Sequence, residues 1–109
     1  MNIKFIKYDN NFLYCDGILT LEIDGVTWTF GSKKDCDFPR FWTSGGYYNI
    51  DTGDVVSAPW QVNKYTKEEV LESFEKIFTS PTYDSYDLLD KCLFVMNDNV
   101  DYGCCGECL

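Results

Sequence analysis

Apolar and polar positions alternate most regularly between Ile18 and Phe30, where Ile18-Leu19-Thr20-Leu21-Glu22-Ile23 and Val26-Thr27-Trp28-Thr29-Phe30 lie on either side of Asp24-Gly25. A period of two predicts two strands, each with one apolar face. Asp-Gly suits a two-residue type I′ turn, in which both central residues take φ > 0. So short a loop sets the register: Ile23 faces Val26, Leu21 faces Trp28 and Leu19 faces Phe30, while Thr20 pairs with Thr29 and Glu22 with Thr27 on the other side. A slip of one residue would turn the large apolar side chains to water.

The flanking segments carry weaker patterns. Ile3 to Tyr8 alternates imperfectly but is rich in strand formers, and Asp9-Asn10-Asn11 predicts a turn before a short strand at Phe12-Leu13-Tyr14-Cys15, with Cys15 a small core residue. Residues 31–39 read as a loop of Gly, Pro and mixed charge, in which Lys33-Lys34 makes a small positive spot. Phe41-Trp42-Thr43 and Tyr47-Tyr48-Asn49-Ile50 flank Ser44-Gly45-Gly46 and predict a second hairpin. Neighbouring strand residues point to opposite faces, so with one face covered each aromatic doublet turns a ring outward. Trp42 and Tyr48 are the candidates, since such rings commonly anchor protein interfaces. After a turn at 51–54, Pro59 demotes Val55 to Val62 to an edge or broken strand and places Trp60 at the sheet margin.

Two later segments change period. Thr66 predicts an N-cap, with Glu69 completing a capping box and Tyr65 stapling onto Val70. Val70, Leu71, Phe74, Ile77 and Phe78 then form one helical stripe, ended by Ser80-Pro81. The segment Asp84 to Met96 is ambiguous. Asp84 suits the cap of a helix with Leu88, Leu89, Cys92, Leu93 and Met96 on one face, yet Cys92 to Met96 also suits a buried strand; the expectation is a short helix giving way to a strand near Leu93. Together these elements predict a single α+β domain over residues 1–109. Its antiparallel sheet would have about four to six strands built from hairpins, with the Lys67–Thr79 helix and the optional second one packed on one face.

Charge adds a direction. The net charge is −9, and it is uneven: residues 1–50 hold five Lys/Arg against six Asp/Glu, and residues 51–109 four against twelve. Such a chain repels phosphate backbones and anionic membrane, which disfavours direct nucleic-acid or membrane binding and favours a partner with a basic surface. The chain has no His, and Arg40 is its only Arg. His-dependent nucleophile pairs, His acid/base chemistry and His metal sites are therefore excluded, and an enzyme is not expected. No run approaches the ~18 apolar residues of a membrane helix, and Met1 to Tyr8 lacks the apolar core of a secretory leader. The expected location is cytoplasmic. Lys outnumbers Arg, and Asn, Ile, Tyr, Phe and Asp abound, a usage that suits an AT-rich genome such as that of a low-GC bacterium or its phage.

The Cys-rich tail, residues 97–109, holds Cys104, Cys105 and Cys108, three of the chain's six Cys. The spacing of Cys104 or Cys105 to Cys108 suits thiolate ligation of zinc, with Cys92, Cys36 or Cys15 as further ligands. Gly103-Cys104-Cys105-Gly106 resembles the C-terminal dithiol of large thioredoxin reductases, and Cys105-Gly106-Glu107-Cys108 is similar in spacing to a thioredoxin-type dithiol, which would imply redox chemistry. A disulfide to another Cys is a third reading, and inert packed thiols, with no cofactor, are the plainest. Asp98 to Gly103 fails as a calcium loop because Val100 and Tyr102 fall where oxygen ligands are needed.

The expectation is therefore a small acidic protein-binding module. Its sharpest form is an inhibitor of a basic nucleic-acid-binding enzyme, in which Asp84, Asp87, Asp90, Asp98 and Asp101 stand in for phosphates and Trp42 and Tyr48 anchor. Phage-encoded blockers of restriction or CRISPR nucleases share this size and charge. The alternatives are a zinc or redox thiol site on the tail and a structural or homodimeric protein without catalysis.

Overall fold

The computed structural model of the chain describes residues 2–9, 17–56, 58–78 and 84–100. The alternating segment folds as its pattern requires. Strands β1 (Ile3–Asp9), β2 (Ile18–Ile23) and β3 (Val26–Phe30) form an antiparallel sheet in the order β1-β2-β3. Leu19 pairs with Phe30, Leu21 with Trp28 and Ile23 with Val26, and the turn is made by Asp24 at φ 50° and Gly25 at φ 86°. β1 extends these rows, setting Ile3 opposite Ile23, Phe5 opposite Leu21 and Tyr8 opposite Leu19, with a register shift between Phe5 and Lys7. The shift is a bulge at Ile6, and it accounts for the imperfect alternation. One extra residue returns Tyr8 to the apolar face and leaves Ile6 exposed.

Helices α1 (Lys67–Ile77) and α2 (Ser85–Asn99) complete the α+β fold. α2 packs against β1 and α1. The core joins Leu19, Leu21, Ile23 and Phe30 of the sheet to Val70, Leu71 and Phe74 of α1 and to Leu88, Leu89, Cys92 and Met96 of α2. Aromatic contacts fill its centre. Phe30 stacks on Phe38 at 4.9 Å and meets Phe41 edge-on at 5.4 Å, and Phe38 meets Phe74 edge-on at 5.1 Å. Phe38 comes from the expected loop, which folds back along β3: Gly31 N–H donates to the Phe38 carbonyl and Phe38 N–H to the Thr29 carbonyl. The Asp37 carboxylate accepts from both the N–H and the hydroxyl of Thr29.

Several local expectations are corrected. Thr66 makes no side-chain cap for α1; its hydroxyl donates to the Arg40 carbonyl instead. Tyr65 is 85% exposed and does not staple onto Val70. Asn63 shapes the helix entry, its side-chain oxygen accepting from Tyr65 N–H and its carbonyl from Thr66 and Lys67 N–H. α2 shows no change to strand near Leu93. It is helical to Asn99, with Asp84 capping it by accepting from Tyr86 N–H at 2.9 Å.

The hairpin expected around Ser44-Gly45-Gly46 does not form. β4 (Trp42–Thr43) pairs with β7 (Gln61–Val62), and β5 (Tyr47–Asn49) pairs with β6 (Asp54–Val56), giving two separate two-stranded ladders. Gly45 fits the redirection: a Cβ there would collide with the Pro59 carbonyl oxygen, so the absence of a side chain lets the segment run against the Pro59 backbone and the Gln61 side chain. Trp60, expected at a margin, is buried at 2% exposure. The expected strand at residues 12–15 lies outside the described residues.

Candidate functional site

Helix periodicity decides which α2 side chains meet solvent. Ser85, Leu88, Leu89, Cys92 and Met96 take the buried face. Asp87, Asp90, Phe94 and Asp98 follow one another at intervals of three and four residues and share a different, exposed face, with Phe94 71% accessible. The ring is thus an exposed apolar spot flanked by carboxylates. Lys91 reduces their charge locally through its ion pair with Asp87 at 3.0 Å. Beside this face, Phe94, Val95, Asp90 and Lys91 line an open groove of about 450 Å³ whose other wall is Asn2 and Ile3 at the start of β1.

The expected contact residues separate into distinct places. Asp87, Asp90 and Asp98 are brought together on α2, and Asp84 sits at its N-cap. Tyr48 is 53% exposed beside the equally exposed Tyr47. It belongs to the β5–β6 hairpin, whereas α2 packs against β1 and α1. Trp42 is corrected outright. It has no exposed surface, and its ring lies 5.0 Å from Phe41 and 5.8 Å from Tyr8, so it is a core residue and not a surface anchor. Asp101 and the candidate ligands Cys104, Cys105 and Cys108 lie outside the described residues.

Phe94 is an exposed apolar residue that composition and charge do not single out. Its signal lies in the spacing: Phe94 falls off the Leu88, Leu89, Cys92, Met96 stripe, so a helix through it must expose it.

Among the described residues, no three His, Cys, Asp or Glu side chains are grouped closely enough to hold a metal ion. Cys92 is buried in the core, and desolvation pushes its thiol up from 9.0 to about 12. It packs as a small apolar group. The Cys36 thiol is also raised, by burial first and then by the neighbouring Asp35 and Asp37 charges against the opposing effect of Lys33. A raised thiol is a poor nucleophile at neutral pH. Cys36 lines a polar cleft of about 470 Å³ in which Lys33, Lys34 and Arg40 are interspersed with Asp37 and Glu69, so no single sign of charge prevails there.

No helix of the described residues is long and apolar enough to cross a membrane. No protein-family model, curated protein or solved structure matches the chain.

Proposed function

We propose that the chain is a small acidic protein-binding module whose contact surface is the outward face of α2. In its sharpest form it is an inhibitor that occupies the basic nucleic-acid groove of an enzyme. One observation carries this reading: Asp87, Asp90 and Asp98 share an exposed face with Phe94 at its middle. The acids span about 16 Å of helix at 1.5 Å per residue, held on a rigid element so that little ordering is lost on contact. Carboxylates of that face stand where a nucleic acid would place phosphates, and Phe94 supplies a desolvated anchor of the kind that dominates binding energy. The negative charge of the second half of the chain steers a basic partner toward it.

The test is affinity capture from a nuclease-treated, reducing lysate of the source cells, followed by a salt step. Recovery of a basic nucleic-acid enzyme that moderate salt releases supports the reading and supplies the target. Recovery of nothing, or of the chain alone, contradicts the inhibitor form of the reading.

A further inference from the structure

The pairing of the sheet determines what its outer edge offers. β1 is the terminal strand, and among the described residues only β2 pairs with it. Asp24 donates its N–H to the Asn2 carbonyl at 2.9 Å, so this is a hydrogen-bonded position of the antiparallel ladder, and such positions alternate along a strand. The two-residue turn demands the same phase, because it makes Ile23 and Val26 a hydrogen-bonded pair and so turns the Ile23 backbone toward β3. Ile3, opposite Ile23, and Phe5, opposite Leu21, therefore direct their N–H and C=O groups away from β2. The bulge at Ile6 ends this regular run.

The groove walled by Ile3, Phe94 and Val95 lies beside that edge. A strand added outside β1 would lie ~4.8 Å from it. Its residues opposite Ile3 and Phe5 would point to the same side of the sheet as those two, the side on which α2 packs, and the one opposite Ile3 would meet the groove that Ile3 lines.

We propose that this edge and groove receive an extended segment of a basic protein as a fourth strand. One apolar side chain of that segment fills the groove beneath Phe94, and flanking Lys or Arg residues meet Asp90 and Asp98. Charge selects this occupant. The chain carries −9, so a second copy would bring like charge to the same face. The two lysines of β1 are already matched, Lys4 to Glu22 at 4.0 Å and Lys7 to Asp9 at 3.2 Å. The proposal rests on reading the α2 face as the contact surface for a basic protein and adds the conformation in which that protein binds.

The test is an NMR titration of the full chain with the acetylated, amidated peptide Lys-Arg-Val-Leu-Val-Arg-Lys. The expected result is new hydrogen-exchange protection at the Ile3 and Phe5 amides and none gained at Lys4, whose amide already faces β2. N-methylating the central amides of the peptide should weaken binding about tenfold or more, the effect of losing the strand hydrogen bonds. Phe94→Ser should do the same, and because Phe94 is 71% exposed the variant retains its fold. Absence of binding overturns the proposal. So do shifts confined to α2 with equal affinity for the methylated peptide, although that result leaves the acidic contact surface standing. Concentration-dependent protection of Ile3 and Phe5 without peptide overturns it in favour of a second copy. Peptide binding that protects Ile3 and Phe5, together with an empty capture experiment, supports the added strand and counts against the inhibitor reading alone.

Discussion

Asn97 holds the backbone of Trp60 with both ends of its amide: Trp60 N–H donates to Asn97 Oδ1 at 2.7 Å and Asn97 Nδ2 donates to the Trp60 carbonyl at 3.1 Å. The Trp60 indole also donates to the Val100 carbonyl at 3.4 Å. These bonds fix the rotation of α2 about its axis, and that rotation is what turns Phe94 and its flanking carboxylates to solvent. Asn97→Ala leaves two backbone groups without their partner and should cost about 2 kcal/mol. This corresponds to a fall in Tm of about 10 °C, measurable by calorimetry.

Trp42 and Tyr48 should separate sharply in stability. Trp42 has no exposed surface and Tyr48 is 53% exposed. Trp42→Ala should destabilise by about 3–5 kcal/mol, while Tyr48→Ala should stay within about 0.5 kcal/mol of the parent in urea unfolding.

Gly45→Ala places a Cβ 2.2 Å from the Pro59 carbonyl oxygen. That neighbour is backbone and cannot move aside as a flexible side chain would. The expected loss is about 1–3 kcal/mol, with perturbed amide shifts at both Thr43 and Gln61, which pair across β4 and β7.

Burial of Cys92 links stability to alkaline pH. Its thiol is pushed from 9.0 to about 12 in the folded chain, so the folded state keeps a proton that the unfolded state releases. Its contribution is fully present below pH ~9 and is lost as pH rises through ~12, at about 1.4 kcal/mol per pH unit between. Unfolding free energies measured under reducing conditions from pH 8 to 11 should fall more steeply for the parent than for Cys92→Ala.

How much of this is legible in the sequence depends on the range of the interaction concerned. The β2–β3 register is readable because Asp24-Gly25 fixes it locally, and α1 because its apolar spacing is unambiguous. α2 is less so, since the run Cys92 to Met96 suits strand or helix until tertiary contacts choose. What chooses is the core on one side, taking Leu88, Leu89, Cys92 and Met96, and the Asn97–Trp60 bonds on the other. Ser44-Gly45-Gly46 misleads because it resembles a local turn, whereas Gly45 serves close packing against Pro59, a residue distant in sequence. Strand alternation turns Trp42 outward only in a sheet that it does not join. Of the candidate site, the acids of α2 are visible in composition, but their sharing of one face with Phe94 requires the helix to be continuous through Asn99.

Binding through that acidic face is the central claim, and its most direct measurement is the affinity of the captured partner for two chains across a salt series. One is the parent, and the other carries Asp87→Asn, Asp90→Asn and Asp98→Asn. The neutralised chain should bind at least about tenfold more weakly at low salt, with a shallower salt dependence and an unchanged fold. Equal affinity and an equal salt slope for the two chains would contradict it.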